Sequence, residues 1–144
     1  MPFSGPAEDR LAIRELLETY ADAVTRNDAD DWGMTWAEDA RWEMPDYPEF
    51  PPQDGREAIV GLWVEAMSHY PGIMFEAWPG SIEIEGDTAK VRSYTSEVYE
   101  KDGKVCRDRG VYTDECVKRD GRWYFSRREF RSIHRQHVPL AEAE

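Results

Sequence analysis

The chain has 144 residues and a formal net charge of −12, and 6 Trp and 7 Tyr contribute much of its apolar surface. This length fits one domain with a substantial buried core, and the negative charge argues against nucleic acid or an anionic membrane as a partner. No apolar run approaches the roughly 18 residues of a membrane span. No charged-then-apolar leader precedes the first predicted helix, so a cytoplasmic protein is expected.

The N-terminal part of the chain predicts a flexible arm at residues 1–7 and then an amphipathic helix at residues 11–27. The apolar side chains of this helix repeat with a period of 3.6 residues. Tyr20 is the one polar group on the apolar stripe, so its hydroxyl needs a partner or a ligand if it is buried. The stripe consists of Ile13, Leu16, Leu17, Tyr20 and Val24.

The rest of the chain predicts two more helices, one early strand and a run of strands. The second helix is expected at residues 29–37 and the third at 55–70, separated by a strand at 40–44 and a proline-rich loop. Strands are then expected at 81–85 and 88–100, and two Asp-Gly pairs, at residues 102–103 and 120–121, indicate β-hairpins. Helices followed by a meander of four or five antiparallel strands predict an α+β domain at residues 8–133 with a C-terminal tail at 134–144.

Two local compositions leave alternatives open. Cys106 and Cys116 have no metal-type spacing and are expected to be free, buried thiols rather than a disulfide. Residues 118–135 hold seven Lys or Arg against Asp120 and Glu129. This run indicates either a basic patch or, as favoured here, a strand that pairs with the acidic remainder of the chain.

Strand alternation predicts which side chains face the inside of the curved sheet. Ser93, Thr95, Glu97 and Tyr99 share one face, and Tyr112, Asp114 and Cys116 share the corresponding face of the next strand. A carboxyl group in an aromatic pocket has a raised pKa and suits general acid–base catalysis near neutral pH. Glu97 and Asp114 are therefore candidate acid–base residues, although Asp114 has the alternative of a structural ion pair with Arg127 or Arg128.

The order of these segments resembles the SnoaL-like branch of the NTF2-like superfamily. The segments that carry the resemblance are 13–20, 36–42, 55–59, 84–89, 110–114 and 120–123. The resemblance implies a cone-shaped barrel, in which about three N-terminal helices cover a curved mixed or antiparallel sheet, and it implies a homodimer. This superfold carries dehydratases, dehydrochlorinases, isomerases, epoxide hydrolases, polyketide cyclases and non-catalytic binding domains.

The chain departs from this family at the positions that perform elimination. Relatives that eliminate water or HCl carry an Asp where this chain has Thr25. They pair that Asp with a His just before the first meander strand, but residues 75–81 contain no His and Ala77 lies closest to the expected place. Relatives that isomerise steroids place an Asp base near residues 43–46, where this chain has Glu-Met-Pro-Asp. The family His–Asp dyad is therefore absent.

These features predict a cofactor-independent lyase, isomerase or cyclase that acts on an apolar, ring-containing, terpenoid-like or polyketide-like molecule. Neither a metal nor a cofactor is expected. The alternatives are a non-catalytic ligand-binding or accessory domain and a dimerising module. His134 and His137 are expected to be exposed on the tail, and Arg128 resembles a pocket Arg of some relatives but has an exposed alternative. The candidate catalytic residues are Tyr20, Glu97, Asp114 and His69, and the candidate substrate-binding residues are Trp36, Trp42, Trp63, Phe75, Trp78, Tyr112 and Arg128.

Overall fold

The computed structural model describes residues 1–143, with side chains described to residue 141. Three helices precede the long strands, and a single short helix follows them. The helices are α1 (Ala7–Arg26), α2 (Ala29–Gly33), α3 (Arg56–Met67) and α4 (Leu140–Ala143). The strands are β1 (Phe3–Ser4), β2 (Trp36–Glu43), β3 (Gln53–Asp54), β4 (Met74–Glu85), β5 (Thr88–Lys101), β6 (Lys104–Arg119) and β7 (Arg122–Pro139).

The seven strands form one curved, unclosed sheet in the order β1-β4-β5-β6-β7-β2-β3. Strands β4 to β7 are an antiparallel meander, whereas β1 pairs with β4 and β2 pairs with β7 in parallel. Helix α1 packs against β4, and α3 packs against β2. The predicted α+β class, with helices covering a curved mixed sheet, is confirmed.

Helix α1 forms because its predicted apolar stripe is the face that it buries. Ile13, Leu17 and Tyr20 are each at most 3% exposed, and burial of side chains of this size supplies most of the stability of such a helix. The helix ends at Asn27, whose left-handed backbone (φ 54°) directs its N–H to the carbonyls of Ala23 and Val24. Asn is one of the few residues that adopt this conformation readily.

The two predicted hairpin turns are also confirmed. Asp102 and Gly103 connect β5 to β6, and Asp120 and Gly121 connect β6 to β7; all four residues have positive φ, between 52° and 77°. Two consecutive residues with positive φ give the type I′ turn, whose twist matches that of the flanking strands.

Four segments differ from the sequence prediction. Helix α2 ends at Gly33, and Trp36 begins β2, because β2 pairs in parallel with β7 and Trp36 lies opposite Phe125. Strand β4 begins at Met74 rather than residue 81, since a bulge between Pro79 and Ser81 lets the strand pass through Pro79 and Gly80. Strand β7 continues to Pro139 because β6 offers pairing partners as far as Lys104. In the N-terminal arm, Phe3–Ser4 pairs with β4.

The basic run at residues 118–135 pairs with acidic side chains of other elements, as favoured from the sequence. Most of its cations contact a carboxylate at 2.7–3.2 Å. The pairs are Lys118–Asp9, Arg119–Asp39, Arg127–Glu43, Arg128–Asp114 and Arg131–Asp46.

Cys106 and Cys116 are free and buried, as predicted. Among the described residues, no helix has the length and apolar character that crossing a bilayer requires.

Candidate active site

A cavity of about 400 Å³ lies between the concave face of the sheet and helices α1 and α3. This volume is in the range of small-molecule sites in proteins. Its closed end is formed by buried aromatic side chains, and its walls continue with aliphatic ones. The closed end and walls include Tyr20, Val24, Trp42, Leu62, Trp63, Met67, Ile73, Phe75, Tyr112 and Phe130.

A small hydrogen-bond network lies at the closed end. The hydroxyl groups of Tyr20 and Tyr112 are 3.3 Å apart, and the indole Nε1 of Trp42 donates to the Tyr112 hydroxyl at 3.2 Å. Burial raises the pKa of Tyr20 and raises that of Tyr112 well above its usual value, so both phenols remain protonated. The closed end therefore offers hydroxyl donors to an oxygen of a bound molecule.

Behind this network, Asp114 forms a buried ion pair with Arg128. Arg128 Nε donates to Asp114 Oδ1 at 2.7 Å, and Arg128 Nη2 donates to Oδ2 at 3.1 Å and to Ser93 Oγ at 3.1 Å. Both charged side chains are fully buried. The guanidinium group lies 3.6 Å from the centre of the Tyr112 ring, which stands between it and the cavity. Neither Asp114 nor Arg128 lines the cavity. Asp114 therefore has the alternative role considered from the sequence, a structural ion pair with Arg128. The predictions that Asp114 is an acid–base residue in the cavity and that Arg128 contacts the substrate do not match this geometry.

A second group of polar residues lies nearer the opening. Glu97 on β5 and Asp108 on β6 are directly opposite each other in the strand register, and both line the cavity. The Tyr99 hydroxyl donates to Asp108 Oδ2 at 2.8 Å, and His137 Nε2 lies 2.9 Å from Asp108 Oδ1. Desolvation, helped by the charge of Asp108, raises the pKa of Glu97 to about 8. Glu97 is thus a carboxylic acid that keeps its proton at neutral pH.

The carboxyl group of Glu97 also affects the pKa of Tyr70, which lies on the α3 side of the cavity. Burial and the charge of Glu97 raise the pKa of Tyr70 to about 12. Its ring meets the Tyr99 ring edge-on, with centroids 4.8 Å apart. These two rings shield the carboxyl groups from part of the solvent, which maintains their low-polarity surroundings.

The cavity opening is a ring of exposed charged residues. The opening consists of Glu49, Lys101, Asp102, Lys104, Arg135 and His137. Among the residues that the structure describes, no group of three or more His, Cys, Asp or Glu has the geometry of a metal site.

Two residues of the polar group near the cavity opening, Asp108 and His137, were not predicted as site residues from the sequence. Asp108 has the same strand parity as Tyr112 and Asp114, so alternation along β6 is a signal that identifies it. His137 was assigned to an exposed tail because the last strand was expected to end near residue 133. The extension of β7 to Pro139 brings the His137 ring to the cavity opening.

Three other predicted site residues lie away from the cavity. His69 is exposed because α3 ends at Met67, and the buried or partly buried neighbours Met67 and Tyr70 occupy the inner side of the turn. Trp78 is 47% exposed because Phe75 and Ala77 take the inward positions of β4. Trp36 is fully buried and packs on the rings of Trp32, Trp42 and Phe125 behind the cavity wall. The other predicted residues, Tyr20, Glu97, Trp42, Trp63, Phe75 and Tyr112, do line the cavity.

Thr25, which stands in place of the family Asp, has a structural contact. The backbone N–H of Phe75 donates to its hydroxyl oxygen at 3.0 Å, which fixes the start of β4 against α1. The hydroxyl also donates to the carbonyl of Ala21, as is usual for a threonine within a helix.

Comparison with known proteins places the chain in a family. A family model described as a SnoaL-like domain matches residues 6–129. An uncharacterized protein of Mycobacterium tuberculosis (strain ATCC 25618 / H37Rv) is 27% identical over 124 residues, which covers 83% of this chain and 82% of that protein.

Two solved structures share the fold. A type 2 hexachlorocyclohexane dehydrochlorinase (LinA) is 18% identical, with a TM-score of 0.83 over 92% of this chain and 90% of its own. A protein of Novosphingobium aromaticivorans, provisionally assigned as a scytalone dehydratase, is 24% identical, with a TM-score of 0.80 over 95% and 96%. At these identities the likeness establishes the fold alone, a curved, unclosed sheet with helices of the NTF2-like kind.

Proposed function

Since this chain belongs to the SnoaL-like family, we propose that it is a cofactor-independent enzyme that moves a proton on an apolar, ring-containing small molecule. Lyase, isomerase and cyclase reactions all fall within this description. The observation that carries the proposal is the carboxyl group of Glu97 in the wall of a largely aromatic cavity, where burial raises its pKa to about 8.

The cavity walls support the class of substrate. Trp42, Trp63, Phe75 and Phe130 present ring faces and edges to a space of about 400 Å³. Flat apolar rings gain both burial and offset aromatic contacts in such surroundings. A terpenoid-like or polyketide-like ring compound has the matching size and surface.

The polar groups support the chemistry. Glu97 holds a proton at neutral pH. Asp108, on the neighbouring strand β6, accepts hydrogen bonds from Tyr99 and His137. Two carboxyl groups in different surroundings are a common source of a separate acid and base. Glu97 donates its proton either to the substrate carbon that gains hydrogen or to the substrate oxygen that leaves.

The two tyrosine hydroxyl groups at the closed end of the cavity orient the substrate by hydrogen bonds. The Tyr20 and Tyr112 hydroxyls lie 3.3 Å apart and are protonated. A carbonyl or developing oxyanion directed at this pair receives hydrogen bonds in a site of low polarity, where they are stronger than in water. Tyr20 and Tyr112 would thereby polarise the bond whose proton moves.

The test compares Glu97→Gln with a control on the same strand, Glu100→Gln. Glu100 is exposed on the outer side of β5, whereas Glu97 lines the cavity. Purified protein is incubated with a fractionated cell extract and with a panel of ring compounds, and mass spectrometry separates converted from merely retained molecules. The wild type and Glu100→Gln should convert a compound that Glu97→Gln retains unchanged. Retention without conversion by the wild type would instead identify a binding domain, the alternative function.

We also propose that the outer face of the sheet associates with a second copy of this chain. Met74 pairs with Val98 and Trp78 pairs with Tyr94 across β4 and β5. Met74, Trp78 and Val98 are between 36% and 57% exposed, which is high for apolar side chains on one face. A homodimer related by a two-fold axis would cover this surface on both copies.

A further inference from the structure

We propose that His137, oriented by Asp108, is the general base of this cavity and works opposite the acid Glu97. This inference rests on the proposed function and extends it to a residue outside the family-matched segment 6–129. His137 lies near the C-terminal end of β7, and its ring lines the cavity opening.

The hydrogen bond to Asp108 determines which nitrogen of the ring is available. His137 Nε2 lies 2.9 Å from Asp108 Oδ1, and a carboxylate oxygen accepts but does not donate hydrogen bonds. Nε2 therefore carries the proton, and the lone pair of a neutral ring is on Nδ1. Among the described residues, Nδ1 of His137 has no hydrogen-bond donor, so its lone pair is available to a substrate.

Asp108 is held in a fixed position by its surroundings. Its side chain is 8% exposed, and Tyr99 donates to its second oxygen at 2.8 Å. The Tyr99 ring also packs edge-on against the His137 ring, with centroids 6.4 Å apart. A histidine whose second nitrogen is bound by a buried carboxylate has a fixed tautomer and ring orientation.

The ring is at the same time open to solvent, since the His137 side chain is 40% exposed. This exposure allows it to exchange its proton with water after each turnover. The other titratable and charged groups that line the same cavity come from the helices, the strands, a hairpin turn and the proline-rich loop. They are Tyr20 on α1, Tyr70 after α3, Glu97, Tyr99 and Lys101 on β5, Asp102 in the turn, Lys104, Cys106, Asp108 and Tyr112 on β6, Arg135 on β7, and Tyr47 and Glu49 in the loop.

The proton transfers balance with these two residues alone. Nδ1 of His137 takes a proton from a substrate C–H bond, and the electron pair of that bond moves into the substrate. Glu97 gives its proton at the other end of the rearranging system, either to carbon or to a departing oxygen. The cavity then holds an imidazolium and a carboxylate. Transfer of the imidazolium proton through solvent to Glu97 restores both groups.

The first test uses His137→Ala with His134→Ala as the matched control. His134 lies on the same strand, is exposed, and contacts Arg109 on the outer side of the sheet. Removal of a general base should lower turnover on the order of 10²–10⁴-fold. His134→Ala should keep wild-type turnover, and added imidazole should restore part of the activity of His137→Ala. Restoration by a free base is an effect that a merely structural histidine would not give.

The outcomes separate this inference from the proposed function. If His137→Ala keeps wild-type turnover while Glu97→Gln loses it, His137 is not the base, although the proposed function stands. If both variants keep turnover, the proposed function fails as well. Loss of turnover in His137→Ala without any rescue by imidazole also counts against a direct role as base.

A second measurement requires no substrate. Long-range proton–nitrogen correlation spectra at pH 9 report the tautomer of each neutral imidazole ring. His137 should be held with its proton on Nε2, and Asp108→Asn should remove this preference while leaving His134 unchanged. A proton on Nδ1 of His137 in the wild type would overturn the inference.

Discussion

Glu97 and Asp108 lie directly opposite each other on β5 and β6, so two carboxyl groups share one wall of a low-polarity cavity. Like charges at such a cross-strand position destabilise a sheet when both are ionised. Asp108 accepts hydrogen bonds from Tyr99 and His137, whereas Glu97 has no side-chain hydrogen bond within the described residues. Burial, and after it the charge of Asp108, raises the pKa of Glu97 to about 8, so Glu97 is the carboxyl group of this pair that retains its proton.

The raised pKa of Glu97 makes stability depend on pH. The folded chain holds this proton up to a pH of about 8, whereas an unfolded Glu releases it near 4.5. Unfolding is therefore favoured progressively as the pH rises between these values. Glu97→Gln should match the wild type near pH 4, below the unfolded pKa, and be more stable than it at pH 9, by at most about 5 kcal/mol. Urea unfolding at both pH values measures this difference, which should be absent in Glu100→Gln; an equal effect at both pH values would contradict it.

Asp114→Asn should mainly destabilise the fold, because it leaves the fully buried charge of Arg128 without its partner. The expected loss is about 3–5 kcal/mol in the free energy of unfolding. Asp39→Asn, which removes an exposed partner of Arg119, is the control and should have a small effect. Urea unfolding measures both variants. A stable Asp114→Asn protein that had lost turnover would restore the catalytic interpretation of Asp114.

Tyr112→Phe should cost more stability than Tyr20→Phe. The Tyr112 hydroxyl accepts the indole N–H of Trp42, so its removal leaves a buried donor unpaired. Such a group costs about 1–3 kcal/mol. Tyr20→Phe removes the longer, 3.3 Å contact with Tyr112 and leaves the hydrogen bond from Trp42 to Tyr112 in place. Denaturant midpoints rank the two variants, and the reverse order would show that the network depends on Tyr20 instead.

Trp78→Ser should shift the proposed homodimer toward monomer, since it removes the largest exposed ring of the outer sheet face. Leu11→Ser is a suitable control because Leu11 is 56% exposed on α1, away from that face. Size-exclusion chromatography with light scattering gives the mass directly. A monomeric wild type, or a Trp78→Ser variant that remains dimeric, would reject the proposed surface.

Local patterns were sufficient to predict much of this molecule. The period of 3.6 residues identified the buried face of α1, including Tyr20, and the Asp-Gly pairs identified both hairpins. Alternation along β5 placed Glu97 and Tyr99 on the inner face, where they line the cavity. These features depend on neighbours within a few residues in the chain, so a single sequence contains them.

The composition of the polar site was decided by tertiary structure. The ion pair that removes Asp114 from the cavity depends on how β6 and β7 pair, and the proximity of His137 to Asp108 depends on β7 continuing beyond residue 133. Strand length and register are determined by the partner strand and by the packing of one whole face. The sequence by itself therefore determined the family, the buried face of α1, both hairpins and the inward-facing residues of β5. Which carboxyl groups contact a cation, a histidine or an apolar wall was determined only by the length and register of the paired strands and by the face that the fold buries.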